Sequence, residues 1–470
     1  MTQDGITVNN EDMQHRRRFL GGATGWMGCT ALHALGSAAA PGLGTHFPGK
    51  AKQIIYLFMS GGPSHVDLFD EKPELTKRDG QPIPESIVDG VHFAAISRQS
   101  GRPKLKASPF QFARHGASGL PISELMPHLA GVADKLTVVK SVHSSVFNHD
   151  PAVNLVNTGD SRVGRPTMGA WISYGLGNLT ENLPTYIVLT SGQKRQPLLT
   201  SYWSNGFLPT EHQGVEFRNS GDPILFLSNP AEVTRRQRRQ QLDLLQRLNR
   251  KRLQAVNDPE IAARIQQFEL AFRMQAAAPR ILDVRRETRQ TLAMYGIDQG
   301  RPSFARNCLL ARRMVEHGVR FVQLYDMGWD SHGSLVTEHR QQCRGIDQGV
   351  TALLTDLEQR GLLEETLVIW GGEFGRTPVA EGSGQKWGRD HHPHGFTMWM
   401  AGGGMRPGTA YGNTDVFGFH AEQDAVDIHD VHATILHCLG IDHEQLTYRH
   451  QGRDFRLTDV SGRVIPELLA

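Results

Sequence analysis

Along the chain, uninterrupted apolar runs alternate with stretches of helical period. Ile54-Ile55-Tyr56-Leu57-Phe58-Met59 closes in Ser60-Gly61-Gly62-Pro63, which predicts a strand buried on both faces and a tight loop after it. Leu136-Thr137-Val138-Val139 and Tyr186-Ile187-Val188-Leu189 predict two further strands. From about 230 to 297 the sequence turns to Arg, Gln, Leu and Ala, with Leu244, Leu245 and Leu248 and then Ile261, Ile265 and Phe268 at helical spacing, so a helical insertion is expected. Its Arg235-Arg236-Gln237-Arg238-Arg239 run reads as a solvated helix face or as an anionic docking patch. In the last third, Ser303 caps a helix running to Glu316, and Val319 to Tyr325 forms a strand. Cys343, Ile346, Val350, Leu353 and Leu357 mark the next helix, followed by strands at Thr366 to Trp370 and Phe396 to Met400 and by a last helix carrying Ile428, Val431, Ile435 and Leu439. Residues 71 to 120, rich in Gly, Pro and charge, are expected to be irregular.

Helices alternating with continuous apolar strands predict an α/β fold, a mostly parallel central sheet flanked by helices on both faces. Sheets of this kind bind ligands at the carboxyl ends of their strands. Metal-capable residues gather at those ends. His65 and Asp67 follow the first strand, Trp329-Asp330-Ser331-His332 follows the Val319 strand, and Gly372-Glu373-Phe374-Gly375-Arg376 follows the Thr366 strand. Asp390-His391-His392-Pro393-His394 precedes the Phe396 strand. Mixed imidazole and carboxylate donors suit Zn²⁺, Mn²⁺ or Fe²⁺ better than Ca²⁺. The candidate ligands are His65, Asp67, Asp330, His332, Glu373, His392 and His394, with Zn or Mn expected as one or two ions. Arg376 is a candidate clamp for a phosphate or sulfate, or a structural partner of Glu373. His149, at a helix start, could act as ligand, nucleophile or general acid, or bond within its own turn.

Composition narrows the class. A 39% apolar and 21% charged chain of 470 residues is globular with ample core, and a net charge of +2 argues against nucleic acid as the partner. Arg16-Arg17-Arg18-Phe19-Leu20 opens a short, weakly apolar run ending in Ala38-Ala39-Ala40, the form of a twin-arginine signal peptide cleaved near Ala40. Export by the twin-arginine machinery to the periplasm or beyond is therefore expected, with the signal at 1 to 40. No later stretch is long and apolar enough for a transmembrane helix. Cys308, Cys343 and Cys438 read as small buried hydrophobes, and Cys29 lies within the signal.

Gly61-Gly62-Pro63-Ser64-His65, Asn157-Thr158-Gly159, Trp329-Asp330-Ser331-His332, Gly372 to Pro378 and the His391 to Gly395 cluster together resemble the bacterial domain-of-unknown-function family 1501, a sulfatase-like branch of the alkaline phosphatase superfamily. The resemblance implies one alkaline phosphatase/sulfatase-like domain over 41 to 470, a metal centre at the sheet's carboxyl edge, and phosphate or sulfate esters of small molecules or glycans as substrates. Two departures stand out against the superfamily pattern. Ser60-Gly61 replaces an aspartate expected after the first strand, and His149-Asp150-Pro151 places histidine where a sulfatase has its Cys or Ser nucleophile, with Val153 in place of arginine. Formylglycine chemistry is thereby excluded. The expected function is an exported, metal-dependent ester hydrolase. Its alternative is a non-catalytic envelope protein binding a glycan or anion on the same scaffold.

Overall fold

The structure, a computed structural model, describes residues 43–470 apart from 90–101, 193–197, 219–223, 225–226, 231, 298–300 and 385. The expected signal peptide, its cleavage site and Cys29 lie outside the described residues.

The long apolar runs do become central strands. Among the described residues nine strands form one sheet: β1 (Gln53–Ser60), β2 (Thr137–His143), β3 (Tyr186–Gly192), β4 (Val215–Phe217), β5 (Phe321–Met327), β6 (Thr366–Gly371), β7 (Phe396–Ala401), β8 (Thr409–Tyr411) and β9 (Val426–Asp427). They lie in the order β8-β2-β7-β6-β1-β5-β3-β4, with β9 also paired to β2. β1 runs parallel to both β5 and β6, with Leu57 opposite Leu324 and Trp370, and β7 alone is antiparallel to its neighbours. Because side chains alternate across a strand, Ile55, Leu57 and Met59 of β1 enter one core while Ile54, Tyr56 and Phe58 enter the other. Helices cover both faces. α5 (Phe304–Glu316) and α6 (Leu335–Gln359) pack on the first, and α1 (His149–Thr158), α2 (Met168–Leu176) and α7 (Ile428–Cys438) on the second. Ser303 caps α5 by accepting from the Arg306 amide, as the sequence predicts. Burying each large β1 side chain is worth about 1.5–3 kcal/mol, which makes β1 the spine of the sheet.

Between β4 and α5 the chain forms two long helices, α3 (Arg235–Val256) and α4 (Pro259–Leu282). The segment expected to be irregular instead carries short helices at Pro73–Lys77 and Glu85–Val88 and a hairpin pairing Phe112–His115 with Leu120–Ser123. It is anchored by Leu75, Ile83 and Leu105, which bury against Val379, Phe417 and Phe419. Those contacts are distant in sequence and leave no local period. Cys308, Cys343 and Cys438 are buried free thiols.

Candidate metal centre

The parallel pairing of β1, β5 and β6 brings their carboxyl ends to one edge, and the antiparallel β7 starts at that same edge. There Gly61, Asp330 and Glu373 leave their strands within contact of one another. Gly61 has φ +116°, and a Cβ on it would lie 2.4 Å from the Asp330 amide nitrogen. Only glycine fits. Its amide donates to the Glu373 carboxylate at 2.9 and 3.2 Å. The Asp330 loop thus leaves no room for a side chain at position 61.

Four side chains converge beyond this point. The Nε2 atoms of His149, His332 and His391 lie 3.3, 2.9 and 3.3 Å from Asp330 Oδ1, and His332 Nε2 stands 2.9 Å from His391 Nε2. In each ring the other nitrogen is engaged outward. His149 Nδ1 meets Glu373 at 2.6 Å, His332 Nδ1 meets Glu381 at 2.6 Å, and His391 Nδ1 meets the Phe147 carbonyl at 2.8 Å. An acceptor on Nδ1 keeps the proton there and presents the Nε2 lone pair inward, the arrangement that orients imidazole ligands toward a metal. Three lone pairs facing one carboxylate oxygen repel one another unless a cation or proton sits among them. The N₃O donor set fits Zn²⁺ or another divalent transition ion. His332, Glu381 and Asp390 form an adjoining group of the same kind.

Protons on the imidazoles compete with a cation for the same Nε2 positions, and the electrostatics of the side chains alone show the protonated arrangement. Burial pushes the Asp330 carboxyl upward, but hydrogen bonds from the three histidines and the charge of Arg376 hold it far below the usual carboxylate range. Hydrogen bonds to Asp330 and Glu381 raise His332 to about 9. Desolvation lowers His391 despite Asp330, whereas in His149 the bonds to Asp330 and Glu373 outweigh desolvation and raise it. The four side chains are 12 to 30% exposed, so the cluster opens to solvent.

The other sequence candidates sit elsewhere. Arg376 is fully buried, and its guanidinium donates to the carbonyls of Gly62 and Arg389 at 2.9 and 3.1 Å, to the Gly61 carbonyl, and to Asp330 at 2.7 Å. Its donors are committed to positioning Asp330 rather than facing solvent as a clamp. Asp67 is also fully buried, accepting from Nε and Nη2 of Arg389 at 2.7 and 3.2 Å and from Ser64 at 2.5 Å. His65 Nε2 meets the Gly418 carbonyl at 2.8 Å and His392 Nε2 the Phe419 carbonyl. The His394 ring lies against Phe419 and His420. None of these four joins the Asp330 cluster.

His391, Glu381 and Asp390 were not among the expected ligands. A short ladder pairs His391 with Arg376 and His392 with Gly375. Directly opposed residues share a face, so His391 lies on the Arg376 side toward Asp330, and His392, one residue on, faces away. The parity of that two-residue strand was the missing signal.

No curated protein matches the sequence. Among solved structures, an alkaline phosphatase superfamily protein from Vibrio parahaemolyticus is 10% identical with a TM-score of 0.36, covering 86% of this chain and 70% of that one. A sulfatase from Pseudoalteromonas sp. is 13% identical with a TM-score of 0.35, covering 84% and 68%. The alkaline phosphatase of the Antarctic bacterium TAB5 is 8% identical with a TM-score of 0.31, covering 75% and 92%. At these scores the overlap is loose, and the functional reading rests on the chain's own residues. With a family model matching residues 51–469, the chain belongs to the family described as "Protein of unknown function (DUF1501)".

Proposed function

We propose that this protein is an exported hydrolase of phosphate or sulfate esters that works with a divalent cation, Zn or Mn, held by His149, Asp330, His332 and His391. The observation that carries the proposal is the convergence of three outward-anchored imidazoles on one carboxylate oxygen. Bound there, such a cation supplies Lewis-acid polarisation of an ester oxygen and a water of lowered pKa.

The chain's own groups have separable roles in this reading. Glu373 and Glu381 orient His149 and His332, and Arg376 fixes Asp330 from the buried side. Asp390, buried beside His332 and Glu381, accepts from the His391 amide at 2.8 Å and so fixes the backbone that carries that ligand. His149, with both nitrogens directed at carboxylates, serves as a ligand rather than as the nucleophile that its sequence position suggests. Hydrolysis would then proceed by direct attack of water, without an intermediate covalently attached to the protein. One observation favours the non-catalytic alternative: with Arg376 committed to Gly61, Gly62, Arg389 and Asp330, the clamp expected for the anionic ester is lost.

The test is to strip the purified protein with a chelator, restore Zn²⁺ or Mn²⁺, and assay aryl phosphate and aryl sulfate hydrolysis. Turnover that returns with metal and vanishes in His391→Ala supports the hydrolase. Stoichiometric metal without turnover of any ester transfers support to the binding protein.

A further inference from the structure

Helix α3 is the most charge-asymmetric part of the fold. It carries eight basic residues, Arg235, Arg236, Arg238, Arg239, Arg247, Arg250, Lys251 and Arg252, against Asp243 as the one acid, a net of +7 in 22 residues of a chain whose total is +2. Only Leu242 is buried. Arg239 pairs with Asp243 and with Glu269 of α4, and Arg235 and Arg239 lie over the Phe272 ring, so this side is the one held to α4. At 100° per residue, Leu244 and Leu248 lie roughly opposite Leu242. They are 53% and 56% exposed, and Leu245 beside them is 40% exposed. Arg247, Lys251 and Arg252 flank this stripe and are exposed, and among the described residues they make no ion pair.

We propose that the outward face of α3 docks this protein on an anionic phospholipid bilayer, the leucines entering the headgroup boundary and the flanking cations meeting lipid phosphates. An apolar stripe bordered by Arg and Lys on a helix lying flat is the form taken by interfacial helices. The charge argues against pairing with a second copy of α3, which would bring +7 against +7. The leucines argue against nucleic acid, which offers them no apolar surface.

The experiment is co-sedimentation of the full chain without its signal segment with vesicles of phosphatidylglycerol and phosphatidylcholine, against pure phosphatidylcholine. Binding to the anionic vesicles alone is expected. Arg247→Glu/Lys251→Glu/Arg252→Glu should weaken it by about a hundredfold or more. Leu244→Ser/Leu248→Ser should weaken it about tenfold or more while leaving the charge intact. Both variants alter exposed positions, and circular dichroism with an unchanged thermal midpoint shows that they fold. No anionic-vesicle binding overturns the proposal. So does binding that survives the leucine changes and is matched by RNA or heparin, or a dimer in sedimentation equilibrium that the leucine changes dissolve.

Discussion

Replacing Asp67 with Asn separates a structural role from a ligand role at a position that the sequence offers for metal. Asp67 and Arg389 are both fully buried and joined by two hydrogen bonds. Asn is nearly isosteric and still accepts from Ser64, but it leaves the guanidinium buried without a counter-charge. Breaking a buried pair from one side costs about 3–5 kcal/mol, a large share of the ~5–15 kcal/mol that holds a domain folded. Urea unfolding monitored by tryptophan fluorescence should show that loss as a lower midpoint at similar slope. The pH dependence adds a signed test. Burial pushes the Asp67 carboxyl upward, and the charge and hydrogen bonds of Arg389 more than reverse this, so the folded group titrates below the ordinary value. Its contribution is fully present above the unfolded pKa of about 3.9 and lost as pH falls through the still lower folded value. The wild type should lose this term below about pH 4, and Asp67→Asn should lack that part of the acid limb. Metal content should be unchanged in the folded variant. A destabilisation under about 1 kcal/mol with bound metal lost would refute the structural assignment.

Three further outcomes follow from the same geometry. Glu373→Gln keeps the shape but weakens the anchor on His149 Nδ1 and should lower metal affinity about 10–100-fold, read by competition with a chromophoric chelator. Gly61→Ala forces a Cβ to within 2.4 Å of the Asp330 amide, so it should lower both the thermal midpoint and metal affinity, whereas an unchanged protein would mean that the Gly61–Asp330 contact is not as described. Chelation should lower the thermal midpoint reversibly, since a ligand at a hundred times its dissociation constant stabilises by about 2.7 kcal/mol. A midpoint insensitive to chelator would count against a bound cation.

What the sequence could reveal tracks how local each signal is. β1, β3, β5, β6 and β7 coincide with apolar runs because a strand buried on both faces needs nothing but apolar residues. The short strands β4, β8 and β9 lie off that pattern, since their pairing is set by neighbours far away in the chain. At the site, Asp330 and His332 were legible as polar residues just past a strand end. Arg376 was visible as a residue but not in its role, because its partners are carbonyls contributed by Gly61, Gly62 and Arg389. His391 was obscured by its neighbours. In a run of three histidines within four residues, only the register against Arg376 decides which ring faces Asp330.

The most direct measurement is elemental analysis of the purified, folded protein beside three single variants. The account predicts one transition-metal ion per chain, lost in Asp330→Ala and in His391→Ala and retained in His392→Ala. A folded wild type without metal, or one whose metal follows His392 and ignores His391, would contradict it.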